Sequence, residues 1–196
     1  MFTGIIENVG EIVALKLEGS NKRIKIASHI SNELKVDQSL SHNGVCLTVV
    51  EVGQGVHEVV AVAETLKKSN LSSVQVGERV NLERSMLANG RFDGHLVQGH
   101  VDLTGHIEKI TNQNGSWQFD FVFDANSQYI VVEKGSIAVN GVSLTCFNCL
   151  RGKFSVAVIP YTFEHTNFNL LKEQQMVNLE FDIVGKYIQQ MLHSKN

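Results

Sequence analysis

Two side chains of this 196-residue chain have the chemistry for acid–base or nucleophilic work, and each sits in a short, well-marked phrase. Cys46 follows an Asn-Gly pair in SHNGVCLTV (41–49), and His100 closes GHLVQGH (94–100). A thiol with a lowered pKa is a nucleophile or a base, and an imidazole titrating near neutrality moves protons. Taken alone, each has a plainer explanation. Most free cysteines are small buried fillers, and a histidine at a strand edge commonly bonds backbone. The phrase around Cys46 recurs as AVNGVSLTC (138–146), with Ser143 in place of the cysteine. Alternate residues of a strand face opposite sides. Cys46, Thr48 and Val50 therefore share one face, and Leu47 and Val49 the other. In the second copy Ser143 and Thr145 share a face, and Leu144 and Cys146 the other. The aliphatic faces belong to barrel cores. The small polar pairs recur at equivalent places, which points to two related pockets rather than two solvated surfaces.

Two other groups read as non-catalytic. His95, five residues before His100, faces away from it on a regular strand and reads as structural. Cys146 and Cys149 have C-x-x-C spacing, but i and i+3 of a regular strand face opposite sides, and no second C-x-x-C completes a metal site.

The elements that must position these residues come in two copies. At an offset of 97, Ser39, Asn43, Gly44, Val45, Leu47 and Thr48 meet Ser136, Asn140, Gly141, Val142, Leu144 and Thr145. Thr65 and Asn70 meet Thr162 and Asn167, and VNLE (80–83) meets VNLE (177–180). Near the start the offset is 95, so Gly4, Gly10 and Ile12 meet Gly99, Gly105 and Ile107, and His100 stands against Ile5. Each copy has about six short apolar-rich stretches between Gly and Asn signals, which predicts a small closed β-barrel. Asn43-Gly44 and Asn140-Gly141 are hairpin signals. The expected division is 1–90, 91–182 and a tail, 183–196. In the tail Val184, Tyr187, Ile188, Met191 and Leu192 form one apolar helical stripe with Asp182 placed to cap it. That stripe needs cover, from its own barrels or from other copies.

The composition narrows the class. The chain is 43% hydrophobic and 19% charged with net charge −3, an ordinary globular balance without the basic footprint of a nucleic-acid binder. No apolar run is long enough to span a membrane, and three cysteines make a disulfide framework improbable. A reducing cytoplasm is the simplest expectation.

MFTGIIE, SHNGVCLTV, NLERSM, GRFDGHLVQGHVD and KGSIAVNGVSLT occur in that order across nearly the whole chain. Together they resemble riboflavin synthase of the homotrimeric, two-barrel type. The resemblance implies two tandem six-stranded Greek-key barrels and a C-terminal helix that packs in a trimer. It implies a dismutation of two 6,7-dimethyl-8-ribityllumazine molecules, in which a four-carbon unit passes from donor to acceptor without metal or redox cofactor. The products would be riboflavin and 5-amino-6-ribitylaminopyrimidinedione. Lumazine synthase is a further partner that the resemblance leaves open.

By the same resemblance Cys46, His100, Ser143, Asp182 and Phe2 belong to the catalytic set, with Ser39 in support. Substrate contacts would come from Gly4, Ile5, Ile6, Leu47, Thr48, Gly99, Val101, Leu144 and Thr145, and from Lys134 to a ring or ribityl oxygen. Val60, Ala61, Val62, Ala63, Glu64 and Thr65 would form one pocket-wall strand. Ile159, Pro160, Tyr161, Thr162, Phe163 and Glu164 would form the other. Two rival functions are a non-catalytic lumazine- or flavin-binding antenna of the same fold, which would lack the Cys and His, and a generic barrel binding module. Asn140 stands where other members carry Asp, and the tail is short.

Overall fold

A computed structural model describes residues 1–193. Residues 194–196, the end of the expected tail, lie outside the described residues. Two closed antiparallel barrels follow one another. The first contains β1 (Asn8–Glu18), β2 (Asn21–Ala27), β3 (Ser39–His42), β4 (Val45–Gly53), β5 (Val56–Ala61) and β6 (Arg79–Arg84). The second contains β7 (Leu103–Asn112), β8 (Trp117–Val122), β9 (Ser136–Val139), β10 (Val142–Leu150), β11 (Lys153–Val158) and β12 (Met176–Phe181). The first closes in the order β1-β2-β5-β4-β3-β6, and the second repeats it with β7 to β12. Strands β3, β4 and β5 are consecutive neighbours and β6 returns beside β3, which is a Greek key.

Local chemistry sets the turns. Asn43 and Gly44 have φ of 49° and 80°, and Asn140 and Gly141 have 46° and 79°, the paired left-handed conformation of a tight two-residue hairpin. The strands alternate as their sequence requires. In β2 Lys22, Ile24 and Ile26 are buried, with the residues between them partly exposed. The two interiors differ in chemistry. Aliphatic side chains fill the first, whereas Phe119, Phe121, Phe154, Phe168 and Phe181 dominate the second.

The stretches expected as pocket-wall strands are only partly strand. Val60 and Ala61 end β5, Val62 is the N-cap, and α1 runs over Ala63–Lys68. Likewise Ile159 caps α2, Pro160–His165. Proline at the first helical position has its φ preset and needs no N–H partner there. AETLKK is made largely of good helix formers.

The barrels meet across an approximate two-fold. The two Asn-Gly turns touch: a Cβ built on Gly44 would lie 2.8 Å from the Gly141 nitrogen. Around them six buried asparagines, three equivalent pairs, bond one another. Asn81 Nδ2 donates to Asn140 O at 2.9 Å and Asn167 Oδ1 at 2.9 Å. Asn178 Nδ2 donates to Asn43 O at 2.8 Å and Asn70 Oδ1 at 2.9 Å. Buried polar groups that find partners fix a geometry, because removing one partner exposes the desolvation cost of the other, about 1–3 kcal/mol; Asn140 Nδ2 in this network has no hydrogen-bond partner among the described residues. A cavity of ≈ 280 Å³ beside this network does not include Cys46, His100 or Ser143.

The first barrel also buries a histidine pair. His42 Nε2 lies 2.9 Å from His57 Nε2, and His57 Nδ1 lies 2.8 Å from Ser31 Oγ. Burial presses His57 from 6.5 down to about 4. Burial, and then the His57 ring, hold His42 well below its usual value. Each is neutral when folded and takes up a proton on unfolding. The stability this confers is present above pH 6.5 and is lost as pH falls towards 4, about 3 kcal/mol for His57 alone. Burial raises the Glu83 and Glu180 carboxyls, which pull the other way. The comparison is therefore with His57→Gln, which leaves both in place. The stability advantage of wild type over that variant, from urea titrations, should shrink steadily across the window. An advantage that is constant with pH would show that His57 is already charged in the folded barrel.

Candidate functional site

Strand register assembles the outward face. Ser39 lies opposite Thr48 and Ser41 opposite Cys46. In the second barrel Ala138 lies opposite Ser143, and Ser136 opposite Thr145. Ser39, Cys46 and Thr48 thus share one outer face, and Ser143 and Thr145 share its counterpart. Leu47 belongs to the first core and Leu144 packs against the second. Their side chains face inward, so only their backbone is left for a ligand.

The segments leading into each barrel cross over. Phe2 and Val97 pair through backbone bonds of 2.7 and 3.1 Å. Gly99 O accepts from the Cys46 N–H at 2.8 Å, and Gly4 O accepts from the Ser143 N–H at 2.8 Å. Both glycines are left-handed, with φ +80° and +78°. A Cβ on Gly99 would lie 2.6 Å from Cys46 Cβ, and one on Gly4 would lie 2.6 Å from Ser143 Cβ. Ile6 packs on the second core and Val101 on the first. Phe2 is fully buried with Val97 and Ala138, behind Cys46. Each half therefore places its glycine turn on the other half's key residue.

Around Cys46 this makes a cleft of ≈ 170 Å³ lined by Val45, Cys46, Glu64, Thr65, Lys68, Ser69, Gly99, His100 and Val101. The predicted Cys46, Glu64, Thr65, Gly99, His100 and Val101 meet here. Lys68 and Ser69, which the sequence did not single out, complete the wall from α1 and its end. Lys68 pairs with Glu64 at 3.4 Å. The equivalent positions on α2 carry Tyr161 and His165, stacked at 4.1 Å. Thr162 stands on the same helix, Phe163 stacks on Trp117 at 3.8 Å, and Glu164 is exposed.

At the second site His95 Nδ1 is 2.6 Å from Ser143 Oγ. Burial lowers His95, and Asp182 opposes that shift. His95 is thus a neighbour of Ser143, apart from the cleft that His100 lines. It is held there by irregular backbone, since residues 85–102 form no regular strand, only the isolated bridge at Val97. Asp182 accepts from the Val184 N–H at 3.0 Å and so caps α3, Ile183–His193. Ile5 lines a separate cleft of ≈ 430 Å³ with Thr3, Arg84 and Arg91. Lys134 stands on an exposed turn with φ 64°, its N–H donating to Cys146 O, and is not part of the Cys46 cleft.

Two further residues hold the crossing segments. Glu83 accepts from Thr3 N, Thr3 Oγ1 and Gly4 N at 2.7–3.2 Å. Glu180 accepts from Gln98, Gly99 and His100 N–H groups at 2.6–2.9 Å. Repeated VNLE marks the duplication in sequence, but nothing local reveals that its glutamates are buried.

The strand carrying the C-x-x-C pair is irregular. Its register shifts between Phe147 and Leu150, and Asn148 has φ 49°. Cys146 is buried in the core, where burial pushes its thiol up to about 12. Among the described residues no group of three or more His, Cys, Asp or Glu side chains could hold a metal ion. The geometry supplies a half-buried free thiol and an imidazole in one cleft, and a serine bonded to an imidazole in its counterpart.

The lumazine binding domain family matches the chain twice, over residues 3–85 and 98–182. Riboflavin synthase of Actinobacillus pleuropneumoniae is 40% identical over 196 residues, covering 100% of this chain and 91% of the relative. That of Bacillus subtilis (strain 168) is 39% identical, covering 100% and 92%. The solved structure of LumP complexed with 6,7-dimethyl-8-(1'-D-ribityl) lumazine superposes with a TM-score of 0.84 at 20% identity, covering 92% of this chain and 98% of that one. Two lumazine binding domains in tandem, matched end to end by these relatives, place the chain in the riboflavin synthase family.

Proposed function

We propose that the chain acts as a riboflavin synthase, a transferase that converts two molecules of 6,7-dimethyl-8-ribityllumazine into riboflavin and 5-amino-6-ribitylaminopyrimidinedione. The observation that carries this reading is a pair of equivalent outward sites that differ where chemistry sits: Cys46 with His100 in one, Ser143 with His95 in the other. Two copies of one substrate need two related pockets, and unequal donor and acceptor roles need the pockets to differ. Substrates and products balance as a four-carbon transfer, with no external oxidant or reductant. The C7 methyl of the lumazine is acidic because its anion delocalises into the heterocycle. The work left to side chains is to remove that proton, to add a nucleophile at C7 of the donor, and to stabilise developing charge. Holding the two rings in register supplies much of the acceleration.

The working units in this reading are the two lumazine-binding halves, 1–90 and 91–182, and an assembly segment, 183–196, that contains α3. Val184, Tyr187, Ile188 and Leu192 are 54–68% exposed, so more than half of their surface is left uncovered by their own barrels. This supports a homotrimer, with each site formed by the first barrel of one chain and the second barrel of its neighbour. No helix among the described residues is long and apolar enough to cross a membrane. A cytoplasmic location, and lumazine synthase as a companion, belong to the same proposal.

Purified protein mixed with 6,7-dimethyl-8-ribityllumazine should form riboflavin without added cofactor, at a rate unchanged by a chelator, followed by absorbance and fluorescence. Tight lumazine binding without turnover would favour an antenna function, and a chelator-sensitive rate would bring metal into the chemistry.

A further inference from the structure

Glu83 and Glu180 lie beneath the two sites, 4% and 3% exposed; neither lines the Cys46 cleft, and Glu83 borders the cleft that holds Thr3 and Ile5. Successive backbone N–H groups in a turn form a concave anion site. Here the anion is the protein's own carboxylate. The N–H groups of three consecutive residues converge on Glu180, Gln98 at 2.6 Å on Oε1, and Gly99 and His100 at 2.9 and 2.8 Å on Oε2. Hydrogen bonds to an ionised acceptor are among the strong ones. The turn so held presents Gly99 O to the Cys46 N–H and places His100 in the Cys46 cleft. Glu83 repeats the device, gathering Thr3 and Gly4 while Gly4 O meets the Ser143 N–H. The carboxylates are thus the common anchor of the crossing segments, and each governs a site on the opposite barrel. Lys186 and Asp102, paired at 2.7 Å, are the charged neighbours of Glu180.

We propose that Glu180 is a positioning residue for the lumazine dismutation, acting through the backbone of residues 98–100 to seat His100 beside Cys46, and that Glu83 does the same for Thr3 and Gly4 at Ser143. This rests on the function proposed above. Two acceptor oxygens are required. Glu180→Gln offers one, and turns its amide N–H₂ against a backbone donor. Glu180→Asp keeps both but reaches less far.

Three measurements on the full-length protein test the assignment: kcat and KM for 6,7-dimethyl-8-ribityllumazine, hydrogen exchange resolved by peptide, and iodoacetamide alkylation of Cys46 read by peptide mass. In Glu180→Gln, kcat should fall roughly 100-fold, the scale of a small misplacement of reacting groups, with a much smaller change in KM. Amides 98–100 should exchange faster while β7–β12 keep their protection, and Cys46 should alkylate faster as its cover loosens. Glu180→Asp should recover part of the lost turnover. Wild-type kcat in Glu180→Gln overturns the proposal. So does a loss of activity that merely tracks lost protection throughout the second barrel, which would make Glu180 a general stabiliser. If wild type itself makes no riboflavin, the proposed reaction fails. Exchange and alkylation then decide the positioning role alone, and unchanged values in Glu180→Gln reject it.

Discussion

Cys46→Ser should lower riboflavin formation by about 100-fold or more, the range expected when a positioned acid–base or nucleophilic group is lost, while lumazine affinity and thermal stability stay near wild type. The substitution makes the first site imitate the second, which already carries Ser143 at the equivalent place. It nearly preserves volume, and Cys46 is only half-buried, so little packing is lost. His100→Gln should behave alike, because His100 lines the same cleft and its main-chain bond to Glu180 survives any side-chain change. Steady-state rates, equilibrium titration with the lumazine and a melting curve together separate chemistry from folding. Wild-type turnover in both variants would return Cys46 and His100 to a packing role.

Removing residues 183–196 should dissociate the assembly and abolish most activity together, because the helix would be both the contact between chains and the reason that sites form between them. Five large apolar side chains on α3 stand more than half exposed. Burying what remains exposed of each is worth roughly 1–2 kcal/mol, enough across three chains to hold a trimer. Deletion also strips Lys186 from Asp102, a largely buried pair. Ile188→Glu with Leu192→Glu tests the same face without touching that pair and should give monomers by sedimentation. Mixing Cys46→Ser chains with Ser143→Ala chains should restore part of the activity, since one interface of a mixed trimer would join two intact halves. A fully active monomer, or no rescue in mixtures shown to have exchanged subunits, would rule the arrangement out.

Much of the fold is legible locally. Asn43-Gly44 and Asn140-Gly141 encode their own turns, strand alternation put Leu47 and Val49 in the core, and Asp182 caps the helix whose stripe follows it. Illegible features depend on partners far along the chain. Glu83 bonds residues about eighty positions away, so its motif looks like any strand ending in an exposed charge. Ala63 and Pro160 begin helices just where the preceding strands end, and a run of small apolar residues does not announce the change. The bond of His95 to Ser143 is equally illegible, because it lies on irregular backbone held by its contacts, where period-two alternation does not apply.

The crossing of the lead-in segments has a consequence for synthesis. Domains commonly fold as they emerge, N-terminal part first. Here β1–β6 can close before Gly99, His100 and Val101 have been made, yet those residues cover Cys46 and pack on the first core. Residues 2–6, made first, must in turn wait for Ser143 and the second core. The ribosome therefore releases a first barrel with an unfinished wall and a leading segment that Glu83 holds on one side only. Both are completed only when nearly the whole chain is out, which ties the maturation of each site to the arrival of the other half.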